Sequence, residues 1–106
     1  MRAQVAAYDE VGWVEEAPGV RAKPVEVAGA RWALVEYAPG AGRPEWCHEG
    51  HRGHVVSGAI RYEFDDGQPA LTASAGQGFL LPGGQGHRGK NDGNEAALLV
   101  VIDDPA

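Results

Sequence analysis

The sequence contains one cysteine, Cys47, and no apolar stretch long enough to cross a membrane. A single cysteine cannot form an internal disulfide, so a small fold held together by disulfides is excluded. A membrane helix needs about 20 apolar residues, whereas the apolar residues here come in short runs. Residues 1–10 also lack the apolar region of a secretory signal. We therefore expect a cytoplasmic protein with no membrane partner.

Basic residues are also scarce. Nine Lys and Arg against fifteen Asp and Glu give a net charge of −6, and no part of the chain concentrates lysine or arginine. Nucleic-acid binding depends on a basic surface that neutralises phosphates. The composition therefore argues against a nucleic-acid partner. The length of 106 residues indicates a single domain, 1–106.

The chain contains many short segments with the pattern of β-strands. In Ala59–Phe64 apolar residues alternate with Arg61 and Glu63, as in a half-buried strand. The Asp66-Gly67 pair that follows favours a tight hairpin turn. Other predicted strands are Val25–Val27, Trp32–Tyr37, His54–Ser57, Leu71–Ala73, Gly78–Leu81 and Ala96–Ile102, the last with an apolar run typical of a strand buried on both faces. Short strands separated by turn residues predict an all-β sandwich, jelly roll or barrel.

The stretch from residue 76 to residue 91 carries the most specific pattern. It fits G(X)5PXG(X)2H(X)3N at all five fixed positions, which are Gly76, Pro82, Gly84, His87 and Asn91. A strand, a Pro-Gly reversal and a return strand follow from this spacing, with the histidine just past the turn. The pattern resembles the second motif of the cupin family. The resemblance covers roughly residues 39–102 and implies a double-stranded β-helix, the cupin jelly-roll barrel.

The first cupin motif, G(X)5HXH(X)3–4E(X)6G, is present in altered form. Counted back from Gly58, the glutamate position falls on His51, and the two histidine positions fall on Glu45 and Cys47. We favour this count because the hairpin after Gly58 is the better-defined part of the pattern.

Counted forward from Gly40, the histidine positions fall instead on Trp46 and His48. Side chains alternate between the faces of a strand, so a regular strand cannot direct both His48 and His51 inward. A bulge at a nearby glycine would break this alternation. Which of Cys47 and His48 faces the barrel mouth is left open by the sequence.

In metal-binding cupins the motif histidines and glutamate hold a divalent transition metal. The resemblance therefore implies a site made from His87 and His51 with Glu45, Cys47 or His48. Thiolate, imidazole and carboxylate together select no single ion among zinc, iron, nickel, manganese and copper, whereas three histidines would fit iron or zinc better. The alternative is a pocket of ordinary polar residues in a cupin that has lost its metal.

Two functions follow from the resemblance. One is a metal-dependent enzyme that acts on a small organic molecule, and the other is a non-catalytic module that binds a small ligand or a metal. Cupins include isomerases, dioxygenases, decarboxylases and binding domains, so the fold does not choose between them. Small cupins resemble one another in forming homodimers, and an exposed first strand would offer an edge for this pairing.

Overall fold

The structure is a computed structural model that describes residues 2–104, and these residues form nine β-strands and one short 3₁₀ turn, Tyr8–Glu10. The strands are β1 (Val14–Ala17), β2 (Val20–Val27), β3 (Ala30–Tyr37), β4 (His51–Ser57), β5 (Ala59–Phe64), β6 (Leu71–Ser74), β7 (Gly78–Leu81), β8 (His87–Lys90) and β9 (Ala97–Asp103). No helix among these residues is long and apolar enough to cross a membrane.

The strands form two antiparallel sheets. The larger has the order β1-β2-β3-β9-β4-β7 and the smaller has the order β6-β5-β8. The segment before β4 lies beside β8 through two isolated bridges, Gly42 to Lys90 and Cys47 to His87, so it extends the smaller sheet. Connections that pass repeatedly between two sheets are those of a jelly roll, which confirms the predicted fold class.

Buried side chains from both sheets form one apolar core. β9 lies between β3 and β4, and its residues Ala97, Leu99 and Val101 point into this core. The apolar run at the end of the chain is therefore a central strand, as predicted. The alternating residues Leu98, Val100 and Ile102 are only partly buried. One face of β9 is therefore fully covered, whereas the prediction was that both faces would be.

Two further details differ from the expectations drawn from the pattern. β2 begins at Val20, five residues before the predicted Val25–Val27, because a small residue, Ala22, fills an inward position there and weakens the apolar signal. β5 and β6 pair as the predicted hairpin, but their loop spans residues 65–70. Asp66 accepts a hydrogen bond from the backbone of Gln68 (3.0 Å), which stabilises this wider turn.

Candidate metal centre

Three potential metal ligands converge between the two sheets. One donor atom each from Cys47, His51 and His87 lies within 4.8 Å of the others. His51 is the first residue of β4 and His87 the first residue of β8. The backbones of Cys47 and His87 exchange two hydrogen bonds of 2.9 Å, which hold the thiol beside the imidazole. Residues distant in sequence are therefore fixed in one place by the sheet framework.

His51 is oriented by the end of β9. Its Nδ1 lies 2.9 Å from Oδ1 of Asp103, and its Nε2 lies 3.4 Å from Sγ of Cys47. An ionised carboxylate only accepts hydrogen bonds, so Nδ1 carries the proton in the neutral ring and the lone pair of Nε2 faces the thiol. This arrangement is the one in which a carboxylate orients a metal-binding histidine.

His87 is the most buried member of the cluster, with 4% of its surface exposed. Its ring lies edge-on to that of His51, with centroids 4.9 Å apart, and edge-on to Tyr62 at 6.0 Å. Nδ1 of His87 is buried and has no hydrogen-bond partner of good geometry in the described part of the chain. Burial first, and then the neighbouring His51, lower the pKa of His87 to about 4, against a smaller opposing effect of the Gln85 backbone. His87 is therefore neutral at pH 7 and able to bind a metal.

The low pKa of His87 predicts that the metal-free protein loses stability in weak acid. The pKa of His87 is 6.5 in its ordinary state and about 4 in the fold. The unfolded chain therefore binds a proton between these values that the folded chain does not. The free energy of unfolding is therefore unaffected by this group well above pH 6.5. It decreases as the pH falls toward 4, by a total of about 3 kcal/mol. Denaturant unfolding of EDTA-treated protein at a series of pH values measures the loss.

A His87→Gln variant is the control, because carboxylates that protonate in the same range remain present in both proteins. We expect the free energy of unfolding of the variant to change less over this range. Curves of the same slope for both proteins would show that another group causes the acid sensitivity.

The two other predicted ligands lie outside the cluster of three. His48 is 58% exposed at its side chain, and its Nε2 lies 3.2 Å from Oδ2 of Asp65. Glu45 is exposed at the edge of the pocket. Residues 43–50 form no regular strand apart from the bridge at Cys47, so strict alternation of side chains does not apply to them. The count from Gly58 selected Glu45, Cys47 and His51, and of these the structure brings Cys47 and His51 together with His87 but leaves Glu45 outside.

The sequence reasoning missed several residues of the pocket. Asp103 could have been suspected, because it is an acidic residue directly after a buried apolar strand. Arg43 and Glu16 carried no local signal, since their contact joins segments that are 27 positions apart, and Tyr37 was predicted only as the end of a strand. All four line one cavity of about 830 Å³, together with the three clustered ligands.

The donor set fits a borderline transition metal. One thiol and two imidazoles suit zinc and related ions better than the oxygen-seeking magnesium or calcium. Three protein donors are also the number found in catalytic zinc sites, which keep a further position for water or substrate. Cys47, His51 and His87 are thus the residues that would hold such an ion.

Comparison with known proteins agrees with this fold. A family model for the cupin domain matches residues 33–103. No curated protein matches the chain. KdgF from Halomonas sp. is 20% identical over 99% of this chain and 96% of its own, with a TM-score of 0.76. The polyketide cyclase RemF from Streptomyces resistomycificus is 18% identical over 97% of this chain and 79% of its own, with a TM-score of 0.77.

An oxalate oxidase is 23% identical over 94% of this chain, with a TM-score of 0.72, and this chain spans 58% of its length. Identities at this level establish a shared fold, and the chemistry of each relative belongs to that relative.

Proposed function

The chain belongs to the cupin domain family, and we propose on this basis that it binds a divalent transition metal and acts on a small organic molecule beside it. The ligands in this proposal are Cys47, His51 and His87. The observation that supports it is the approach of their donor atoms to within 4.8 Å of one another at the wall of a large pocket.

The surrounding residues prepare the three ligands for this role. Asp103 holds His51 in the tautomer whose free nitrogen faces Cys47. Burial keeps His87 neutral at physiological pH, so the ligand needs no deprotonation before it binds an ion. A bound ion would polarise an oxygen of an organic molecule or activate dioxygen.

The pocket has the size and lining of a small-molecule site. Its volume of about 830 Å³ lies within the usual range for ligand pockets. Trp46 and Tyr62 supply aromatic surface, and charged side chains such as Arg43 and Arg88 also line it. Two of the structures with this fold are enzymes named for polyketide and oxalate chemistry, which agrees with a small organic substrate here.

Metal loading tests the proposal directly. Protein treated with EDTA, incubated with zinc or cobalt and then desalted should retain about one ion per chain by elemental analysis. The cobalt form should show a near-ultraviolet thiolate-to-metal charge-transfer band, because Cys47 is the only cysteine. A Cys47→Ser variant should lose that band. Protein that retains no ion, or cobalt protein without a thiolate band, would contradict the proposal.

A further inference from the structure

Arg43 presents an unused hydrogen-bonding edge at the pocket. Its Nε donates to the hydroxyl of Tyr37 (3.0 Å) and its Nη2 donates to Oε1 of Glu16 (2.8 Å). Among residues 2–104 its Nη1 makes no hydrogen bond that meets the usual geometry. Two bonds therefore fix the guanidinium plane, and further donors stay available to a ligand.

At this end of the pocket two guanidinium groups share one carboxylate. Oε2 of Glu16 accepts a hydrogen bond of 2.6 Å from Arg31, so one carboxylate is shared by two guanidinium groups. The side chains of Arg43 and Glu16 are only 30% and 23% exposed, which limits screening by solvent. Glu45, at the same pocket, is exposed and thus better screened. The single carboxylate of Glu16 therefore offsets only one of the two guanidinium charges bound to it.

Arg43 stands close to the candidate metal ligands. The backbone N–H of Arg43 donates to the carbonyl of Gly89 (3.0 Å), and that of Cys47 donates to the carbonyl of His87 (2.9 Å). Gly89 and His87 are two residues apart on β8, which is about 7 Å along a strand. The backbone positions that carry the Arg43 guanidinium and the Cys47 thiol are therefore about 7 Å apart, which is about the length of a small metabolite.

Two tyrosine side chains, Tyr37 and Tyr62, lie between the two positions. The hydroxyl of Tyr37 and Cε1 of Tyr62 each lie 3.0 Å from the place where a Cβ on Gly89 would stand. Tyr62 in turn packs against the ring of His87. The pocket thus has a cationic end at Arg43 and a metal-ligand end at His87, with apolar surface between them.

We propose that Arg43 is the carboxylate-binding group of this pocket and that the substrate is a small organic acid. In this arrangement the carboxylate of the substrate lies on the free edge of Arg43, and its hydroxyl or carbonyl oxygen lies toward Cys47, His51 and His87. The second contact rests on the proposed metal function, whereas the first depends on Arg43 alone. Planar guanidinium groups bind carboxylates with two parallel hydrogen bonds, which gives both strength and orientation.

Paired probes test the charge requirement. We would titrate zinc-loaded protein calorimetrically with short monocarboxylates that carry a hydroxyl or carbonyl group at C2, C3 or C4, and with their uncharged primary amides. At least one acid should bind about 10- to 100-fold more tightly than its amide, as expected for a charge-assisted hydrogen bond. Equal affinity of every acid and its amide, or no binding by any acid, would overturn the proposal.

Substitution at Arg43 locates the effect. Arg43→Gln should abolish the preference for acids, and Arg43→Lys should keep part of it. The matched control is Arg21→Gln, because Arg21 forms an ion pair with Glu36 (2.8 Å) and does not line the pocket. An unchanged preference in Arg43→Gln protein, with its fold checked by circular dichroism, would show that another group binds the acid.

The same titrations separate this inference from the metal proposal. Acids that bind through Arg43 to protein that retains no metal would leave the carboxylate site standing and would refute the metal function. One ion per chain without any preference for acids would support the metal function and would refute the carboxylate site.

Discussion

Replacing His87 with alanine is expected to remove stable metal binding. Structural zinc sites contribute about 10–16 kcal/mol through four ligands, so each ligand supplies about 3 kcal/mol, or roughly 100-fold in affinity. The loss should be at least this large here, because among residues 2–104 only three donors approach one another. After loading with zinc and desalting, the variant should retain only a small fraction of the ion retained by the unchanged protein, as measured by elemental analysis.

His54→Ala is the matched control, since His54 lies on the same strand as His51 but on its exposed outer face. It should retain as much zinc as the unchanged protein. Full zinc retention in His87→Ala protein would place the ion elsewhere and would remove the basis for the proposed function. Equal losses in both variants would indicate an effect on folding, which circular dichroism of the metal-free proteins would reveal.

The parts of the candidate site that could be predicted are those tied to local turn chemistry. The Pro-Gly reversal that begins at Pro82 fixes where β8 starts, and His87 is its first residue. Counting back from Gly58 likewise selected Cys47 and His51. The choice between Cys47 and His48 was beyond the sequence, because it depends on an isolated bridge to β8 in a segment without regular strand structure.

The remaining site residues depend on contacts between distant segments. Asp103 meets His51 across 52 positions of the chain, and Arg43 meets Glu16 across 27. Side-chain hydrogen bonds of this kind leave no periodic trace in a sequence. They are set by which strands become neighbours in the larger sheet, and the pattern of apolar residues does not specify that order.

The fold was predictable where alternation is strong and less so where it is weak. β5 has large apolar side chains at every inward position and β9 has the apolar run 98–102, so both were found close to their observed bounds. β1 was not predicted, because only Ala17 of its four residues is partly buried and the rest are exposed. It is an edge strand of the larger sheet, and the pairing of two copies through such an edge stays a prediction.

Gly58→Ala is expected to cause a large loss of stability. Gly58 joins β4 to β5 with φ +74°, in the left-handed region that costs other residues about 1–2 kcal/mol. A Cβ there would also stand 2.5 Å from the carbonyl oxygen of Ala96 and 2.9 Å from Cα of Ala97. Both atoms belong to backbone that cannot rotate away, so overpacking adds about 1–3 kcal/mol. Together these costs predict a free energy of unfolding lower by about 3 kcal/mol, or a melting temperature lower by roughly 10–20 °C.

Gly76→Ala separates the two causes. Gly76 has φ +87° in the turn between β6 and β7, but nothing lies within 4 Å of the position of a Cβ. It should therefore show only the conformational cost of about 1 kcal/mol. Calorimetric melting of the two variants measures the difference, and equal losses would mean that the contact with Ala96 relaxes. A larger loss at Gly58 would show that the backbone of Ala96 and Ala97 adds a steric constraint at this turn. That constraint fixes the offset between His51 on β4 and Tyr62 on β5, which is why Gly58 serves as the better reference point for locating the ligands.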